Sequence, residues 1–596
     1  MRAGGRRTLL LLLLVAYFVM ALTYSVMTPA WETPDEVGHV SYIRHLRSTG
    51  SLPQQGIDAV RPAQHPPLYY VVAALFTLPA DVNDMTGGLT SNSNFIWASQ
   101  GGSDNNIAVH RSAETFPYQG QVLLLHLARL ASVLMGVATV ALVAAIGWDL
   151  FPERPNVGLL GAALVAFLPQ FLFISGAVNN DNLLVPVTTA VWLLSIHALA
   201  RPTEIRRWLW VGVLLAVALL TKSSALVACL VVGGTITVVA AQRRSPKLFI
   251  QAGLAVAIPV VLGSGWWFVR NQTLYGDPLG WAVFKQIDAA NFRTTPFTGN
   301  DLRHFFTTQM NSFWGLFGWM NVWAPSWFYA LIRVVSGLAV IGFLVFLARR
   351  FRNLSAFQRS SVAFLLFAAI AQELYLLYAV QSFNASWYQG RYLFAAIGPL
   401  LLLASIGLHQ LVPRRYGMFL AGAMGLGLFA LALYMPFRVI APAYPTIPQP
   451  KSALWFLPHK TDYHFNKMIA LKGYRLDVAA DESSVDVVLY WQALQPTDFN
   501  YSAFVHLLDG VGQVVAQKDH APGEEVGYPP LVWSVGDIVE DHHVLLLPAQ
   551  LTAESLTVRV GLYNWESGIQ APARENGREL GGFVILETPV FIRSQK

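Results

Sequence analysis

The sequence predicts a polytopic all-α membrane bundle followed by an extracytoplasmic all-β sandwich. Three observations predict it: apolar runs long enough to cross a bilayer, basic clusters between them, and a change near residue 441 to short alternating segments. Hydrophobic residues make up 54% of the 596 and charged residues 12%, about half the charged share of a soluble globular chain. Runs such as Leu9 to Met27, Val157 to Val178 and Ser361 to Val380 approach or exceed the roughly 20 residues that a bilayer core requires.

Arg2, Arg6 and Arg7 precede the first run. The positive-inside rule therefore holds the N-terminus in the cytoplasm and sends Thr28 outward. A cleaved signal peptide is the alternative, but the run is too long and lacks a clean small-x-small site. The later clusters, Arg201/Arg206/Arg207, Arg243/Arg244/Lys247, Arg349/Arg350/Arg352 and Arg414/Arg415, are expected on the cytoplasmic side. About eleven spans satisfy them, starting near residues 8, 121, 157, 182, 207, 225, 248, 328, 360, 392 and 416. The stretch from Arg207 to Ala241 is too long for one span, and parity splits it at Lys222-Ser223-Ser224. The C-terminus then lies outside, in a cell (inner or plasma) membrane.

Two outer loops are long, 28–120 and 271–327. The first holds a short amphipathic segment, Leu68 to Pro79, suited to the interface. The second is rich in aromatics, among them Trp314, Trp319, Trp323 and Trp327, that favour the headgroup zone. Residues 1–440 thus read as the membrane domain and 441–596 as the sandwich. Strand candidates in the sandwich are Val485 to Trp491, Ala503 to Leu508, Val511 to Gln517, Ile538 to Leu547 and Leu556 to Tyr563, with a turn at Asp509-Gly510.

Composition also excludes functions. The net charge of +6 is spread over short clusters rather than one stripe, which argues against nucleic acid. Cys229 is the only cysteine and lies in an apolar run, so the outer parts hold neither a disulfide nor a thiolate metal site. His542 and His543 are neighbours on a candidate strand, point to opposite faces and make a poor metal pair.

Chemistry concentrates just after the first span. Trp31-Glu-Thr-Pro-Asp35-Glu36-Val-Gly-His39 puts two adjacent carboxylates and a histidine at the outer surface. If Pro34 starts a helix, Asp35 and His39 share a face and Glu36 points about 100° away; a helix start alone would also favour these acids. Further polar groups are His65-Pro66-Pro67-Leu-Tyr-Tyr70, Asn179-Asn180-Asp181, Leu219-Leu-Thr-Lys222, Trp266-Trp267-Phe-Val-Arg270-Asn271, Tyr275-Gly276-Asp277-Pro278 and Tyr388-Gln389-Gly390-Arg391-Tyr392. Each has an ordinary reading beside the functional one. Asn179 to Asp181 can cap a helix, Lys222 can snorkel and His65 can stiffen a loop. Arg391 at a helix start opposes the helix dipole and calls for a partner.

In their order and common sidedness these motifs resemble the GT-C glycosyltransferases over roughly residues 1 to 440. The similarity is to bacterial members close to the dolichyl-phosphate-mannose protein mannosyltransferases and the aminoarabinose transferases. It implies a GT-C-like bundle and transfer of a sugar from a polyprenyl-phosphate donor to a glycan, lipid or protein acceptor outside the cytoplasm. Asp35 is then the general base, with Glu36 beside it as a second catalytic carboxylate. His39, His65, Asp181, Lys222, Arg270, Tyr388 and Arg391 bind substrate, and Arg391 and Lys222 are suited to the leaving phosphate. A divalent cation, Mg2+ or Mn2+, on Asp35, Glu36, His39 and Asp181 is left open, because the family divides on metal dependence. Two other readings are a transporter or flippase, which predicts repeat symmetry not found in the sequence, and a scaffold whose β domain binds glycans or a partner. In the β domain, Tyr501, Trp533, Tyr563 and Trp565 suit either core or sugar stacking.

Overall fold

The computed structural model describes residues 3–92, 95, 106–111, 114–444, 448–449, 451–548, 551 and 555–591. The chain forms two compact units, 1–88 with 97–100 and 119–443, and 89–96 with 101–118 and 444–596.

The first unit is helical. Its helices are α1 (Ala3–Met27), α2 (Glu36–Thr49), α3 (Leu68–Phe76), α4 (Gly120–Leu150), α5 (Pro155–Ala166), α6 (Pro169–Ser175), α7 (Asp181–Ala200) and α8 (Ile205–Leu219). They continue with α9 (Leu226–Gln242), α10 (Pro246–Tyr275), α11 (Trp281–Ile287), α12 (Gly299–Trp314), α13 (Ser326–Arg349), α14 (Ala356–Ala379), α15 (Ile397–Gln410) and α16 (Gly417–Met435). Among the described residues nine helices are long and apolar enough to cross a membrane, or ten if α5 and α6 are one bent span. This is a multi-pass membrane protein.

Two of the eleven expected spans take another form. The run from Val157 to Val178 bends by 61° between α5 and α6. Pro169 opens α6 there, and a proline disfavours helical geometry in the residue before it. The second is α8, which has 15 residues and so rises only about 22 Å, short of a bilayer core. It ends before Lys222, and a single 3-10 turn, Ser223–Ala225, leads into α9. The break therefore lies where the sequence placed it, and the early stop leaves Lys222 free of the helix.

The long loops are built rather than open. In the first, α3 buries Tyr69, Tyr70 and Ala73 and exposes Val71, Leu75 and Phe76. In the second, α11 and α12 precede a two-stranded hairpin, β1 (Leu316–Phe317) with β2 (Val322–Trp323). Trp323 and Trp327 are exposed, as a headgroup position requires, but Trp314 is buried and serves the core instead.

The second unit is a two-sheet sandwich. Its strands are β3 (His459–Phe465), β4 (Ile469–Val478), β5 (Ser484–Ala493), β6 (Ser502–Leu508), β7 (Val514–His520), β8 (Ile538–Leu546) and β9 (Ser555–Tyr563). Four short ones follow: β10 (Ala573–Glu575), β11 (Arg578–Gly581), β12 (Val584–Ile585) and β13 (Val590–Phe591). One sheet runs β11-β10-β3-β4-β5-β8 and the other β12-β9-β6-β7, with β13 also on β9. Alternating residues of both sheets, such as Val487, Leu489 and Trp491 on β5 and Val505 and Leu507 on β6, fill the core. Val109, from the first long loop, joins that core. Strand β7 starts at Val514 rather than Val511 because the turn after Asp509 continues through Gly512, whose φ of 82° suits glycine and not a strand residue. Trp533 is buried, whereas Trp565 is 58% exposed.

Candidate active site

Four helix ends of the first unit supply the polar groups. These are the exit of α1, the start of α7, the exit of α8 and the short 3-10 segment Gly390–Ala396 before α15. The opposite ends of the same helices carry Arg6 and Arg7 (α1) and Arg201, Arg206 and Arg207 (α7 and α8). One face of the bundle therefore collects the acids and the other the basic clusters.

Asp35 lies just before α2 rather than inside its first turn, in the left-handed region at φ 66°. The helix begins at Glu36 and not at Pro34, which corrects the expected register. Asp is among the few residues that tolerate this conformation. Such strain is stored where surrounding contacts fix it, often at functional sites. The twist separates the two acids. Asp35 keeps a side chain 53% exposed and accepts a hydrogen bond from Arg391 Nη2 at 2.5 Å.

Glu36 points the other way and is fully buried. Its carboxylate accepts from Arg129 Nε at 2.9 Å and Nη2 at 2.6 Å, and from the Val178 backbone N–H at 2.9 Å. Arg129 donates further to the carbonyls of Ser25 (2.6 Å), Thr28 (2.9 Å) and Pro29 (3.0 Å). Glu36 thus ties the α1 exit to α4 and to the α6–α7 connection, and its oxygens do not reach the open side. Arg129 did not figure among the expected residues, although a lone arginine inside an apolar run is a signal in itself.

Arg391 is placed by Gly390, where a Cβ would overlap the backbone of Gln309 and Phe313 on α12. Its side chain is 3% exposed. Nε and Nη1 are buried without an acceptor, which is costly for a guanidinium. Lys222 Nζ bonds Asp181 Oδ1 at 2.5 Å, while Asp181 Oδ2 has no donor. Lys222 Nζ and Arg391 Cζ lie 5.5 and 5.2 Å from the centre of the Tyr392 ring. Asn180 makes no side-chain cap on α7; instead Asn179 Oδ1 accepts from the Asp181 N–H at 2.9 Å.

Two histidines complete the group. Tyr70 Oη lies 2.8 Å from His39 Nδ1 and 3.1 Å from His65 Nδ1, and Asn180 Nδ2 is 3.1 Å from His65 Nδ1. Burial pushes His39 well below the usual imidazole value and His65 down to about 4, with the charge of Lys222 acting in the same direction on both. Both are neutral hydrogen-bonding groups at neutral pH. For Asp35, desolvation pulls upward, but the charge and hydrogen bond of Arg391, helped by Lys222, outweigh it and hold the carboxyl below its usual range.

The structure thus brings together Asp35, His39, His65, Asp181, Lys222 and Arg391, and adds Tyr70, Asn180 and Tyr392. It does not bring in Arg270 or Tyr388. Arg270 Nη2 donates to the carbonyl of Pro53 at 2.8 Å and holds the first loop. Tyr388 accepts from Arg293 Nη2 at 2.6 Å among Phe305 and His304. The donor set for a divalent cation does not fit either. Glu36 is turned to Arg129, and Asp35 and Asp181 each face a side-chain cation.

Comparison with known proteins bears on the same unit. Residues 125–267 match the family model of dolichyl-phosphate-mannose-protein mannosyltransferase. The match supports the GT-C superfamily of polyprenyl-phosphate-sugar glycosyltransferases. The matched segment contains Arg129, Asn180, Asp181 and Lys222. Among solved structures, ArnT from Cupriavidus metallidurans bound to undecaprenyl phosphate is 15% identical, covers 74% of each chain and has a TM-score of 0.42. The apo state of the same protein is 16% identical over 74% of each chain, with a TM-score of 0.39. No curated protein matches the sequence.

Proposed function

We propose that this GT-C-type protein transfers a sugar from a polyprenyl-phosphate donor to a hydroxyl-bearing acceptor on the extracytoplasmic face, with Asp35 as the general base. The observation that carries the reading is the half-exposed Asp35 carboxylate beside Arg391, a buried guanidinium with two N–H-bearing atoms that lack acceptors. The phosphodiester that joins the polyprenol to the sugar supplies the missing acceptors and the negative charge that a desolvated arginine requires.

The chemistry follows from the charges. The acceptor oxygen forms its bond to the anomeric carbon as the bond from that carbon to the phosphate oxygen breaks. The bonding pair stays on the phosphate, where Arg391 and Lys222 stabilise the growing charge. The hydroxyl proton passes to Asp35. Paired with Arg391, Asp35 is a weak base; a phosphate that draws Arg391 toward itself raises the basicity of Asp35 when the donor is in place. His39, His65, Tyr70 and Asn180 present neutral donors and acceptors suited to sugar hydroxyls, and Glu36 acts as a positioning residue through Arg129. No step is routed through a metal. The membrane holds the isoprenoid tail, the N-terminus is cytoplasmic, and 441–596 forms an extracytoplasmic domain.

The test is incubation of the purified protein with a panel of polyprenyl-phosphate sugars, followed by mass spectrometry of the lipid. Release of polyprenyl phosphate from at least one donor supports the reading; no consumption of any donor, with or without acceptor extracts, opposes it. Consumption that persists after deletion of 441–596 would assign the β domain a role other than catalysis.

A further inference from the structure

A second constellation lies in the sandwich and is independent of the transferase reading. His520 ends β7, and Asp541 and His543 are alternate residues of β8, so they share a face. Strands β7 and β8 are each the last strand of their sheet, and the three side chains meet between the two sheets at that flank. His520 Nε2 is 2.9 Å from Asp541 Oδ1, and His543 Nε2 is 2.8 Å from Asp541 Oδ2. The imidazoles stack with centroids 4.1 Å apart. His542, the sequence neighbour of His543, faces outward to Asp486 and Glu540 and takes no part.

The two ring nitrogens of His543 both face oxygen acceptors. His543 Nδ1 faces the Lys518 carbonyl at 3.3 Å while its Nε2 faces the carboxylate. With Nδ1–H on the carbonyl, the Nε2 lone pair points at Asp541, the orientation in which a metal-bound histidine is normally held. The carboxylate is fixed from behind by Trp491 Nε1 at 3.1 Å and the Gly523 N–H at 3.3 Å. His520 Nδ1 is buried without a partner. One ligand atom from each of the three residues lies within 4.8 Å of the others, the one such group among the described residues.

We propose that His520, Asp541 and His543 bind a single divalent transition-metal ion of the zinc type, which fastens the two sheets together along their open flank. Two imidazoles and one carboxylate suit zinc or cobalt, whereas magnesium and calcium take all-oxygen sets. Tetrahedral zinc with bonds near 2.1 Å places its ligand atoms about 3.4 Å apart, inside the 4.8 Å within which one ligand atom of each residue already lies. The side chain of His520, 11% exposed, marks the way in from solvent and leaves a fourth position for water.

The test uses the full chain in detergent, purified without a histidine tag. Zinc is titrated against a chromophoric chelator, and metal content is measured after gel filtration. One zinc per chain is expected, with cobalt giving the visible absorption of a tetrahedral site and magnesium failing to compete. His520→Gln, at the rim, should weaken zinc at least tenfold, as should His543→Gln, while His542→Gln should leave it unchanged. If buried His543→Gln does not fold, His520→Gln alone decides. No stoichiometric zinc on the wild type, or undiminished binding by His520→Gln, overturns the proposal.

Discussion

The pair of Glu36 and Arg129 gives the most quantitative test of how the site is held. Replacing Glu36 with Gln keeps the shape but removes a charge that is fully buried and receives three N–H donors. Arg129 is left buried and uncompensated, with only three carbonyls and an amide oxygen around it. Removing one partner of a buried pair costs about 3–5 kcal/mol. For a membrane unit of roughly 440 residues, with an unfolding entropy of about 2 cal/mol/K per residue, that corresponds to a Tm lowered by about 3–6 °C. The assay is thermal unfolding in detergent followed by tryptophan fluorescence, with donor turnover measured well below the transition. Arg129→Met should destabilise by a similar amount, and the double variant by less than the sum, because its carboxylate is also gone. A Glu36→Gln protein that melts like the wild type but has lost turnover would refute the reasoning, since it would place Glu36 at the reacting atoms and not behind them.

Other outcomes follow from the same geometry. Arg391→Lys keeps the charge but not the planar fork, and should weaken donor binding by tenfold or more in a lipid-phosphate competition assay; an unchanged affinity removes Arg391 from the phosphate site. His65 has its folded value depressed from 6.5 to about 4, so between those values the unfolded chain binds a proton that the native chain does not. Stability therefore falls as pH is lowered through this window and levels off below it, and His65→Gln should flatten the slope of Tm against pH. In a Cys229→Ser background, a cysteine at the exposed Ser51 should react with an impermeant maleimide from outside the cell, and one at the exposed Arg243 only after permeabilisation.

The helical bundle was legible because bilayer crossing demands length and apolarity that few other structures require. The break at Lys222 was visible for the same reason, as a polar interruption in a stretch too long for one span. The bend before Pro169 also had its signal, but inside a uniformly apolar run the pattern alone does not say whether a proline bends a span or sits at its edge. Strands with strict alternation, such as Val485 to Trp491, were readable. The pair β3 and β4 was not, because His459–Phe465 mixes lysine, threonine and aspartate on a partly exposed strand and gives no clean period.

At the candidate site, residue types and sidedness were readable but pairings were not. Asp35 and Glu36 are adjacent in the chain, yet the left-handed turn at Asp35 sends one to Arg391 and the other to Arg129, partners 356 and 93 residues away. Tyr388 and Arg391 share one motif, but Tyr388 precedes the 3-10 segment Gly390–Ala396 that carries Arg391, and its hydroxyl meets Arg293 while Arg391 meets Asp35. The sandwich cluster escaped for a related reason. His543 was weighed against His542, its neighbour in sequence, while its partners are Asp541, two residues back, and His520 on the other sheet.

The role proposed for the carboxylate at position 35 is removal of the acceptor proton. Asp35→Asn tests it most directly, because asparagine tolerates the left-handed backbone at φ 66° and differs only in the proton-accepting charge. Single-turnover transfer and donor affinity are measured on the same preparation. Transfer should fall by at least a hundredfold with donor affinity retained; transfer within a few-fold of the wild type would show that Asp35 is not the base.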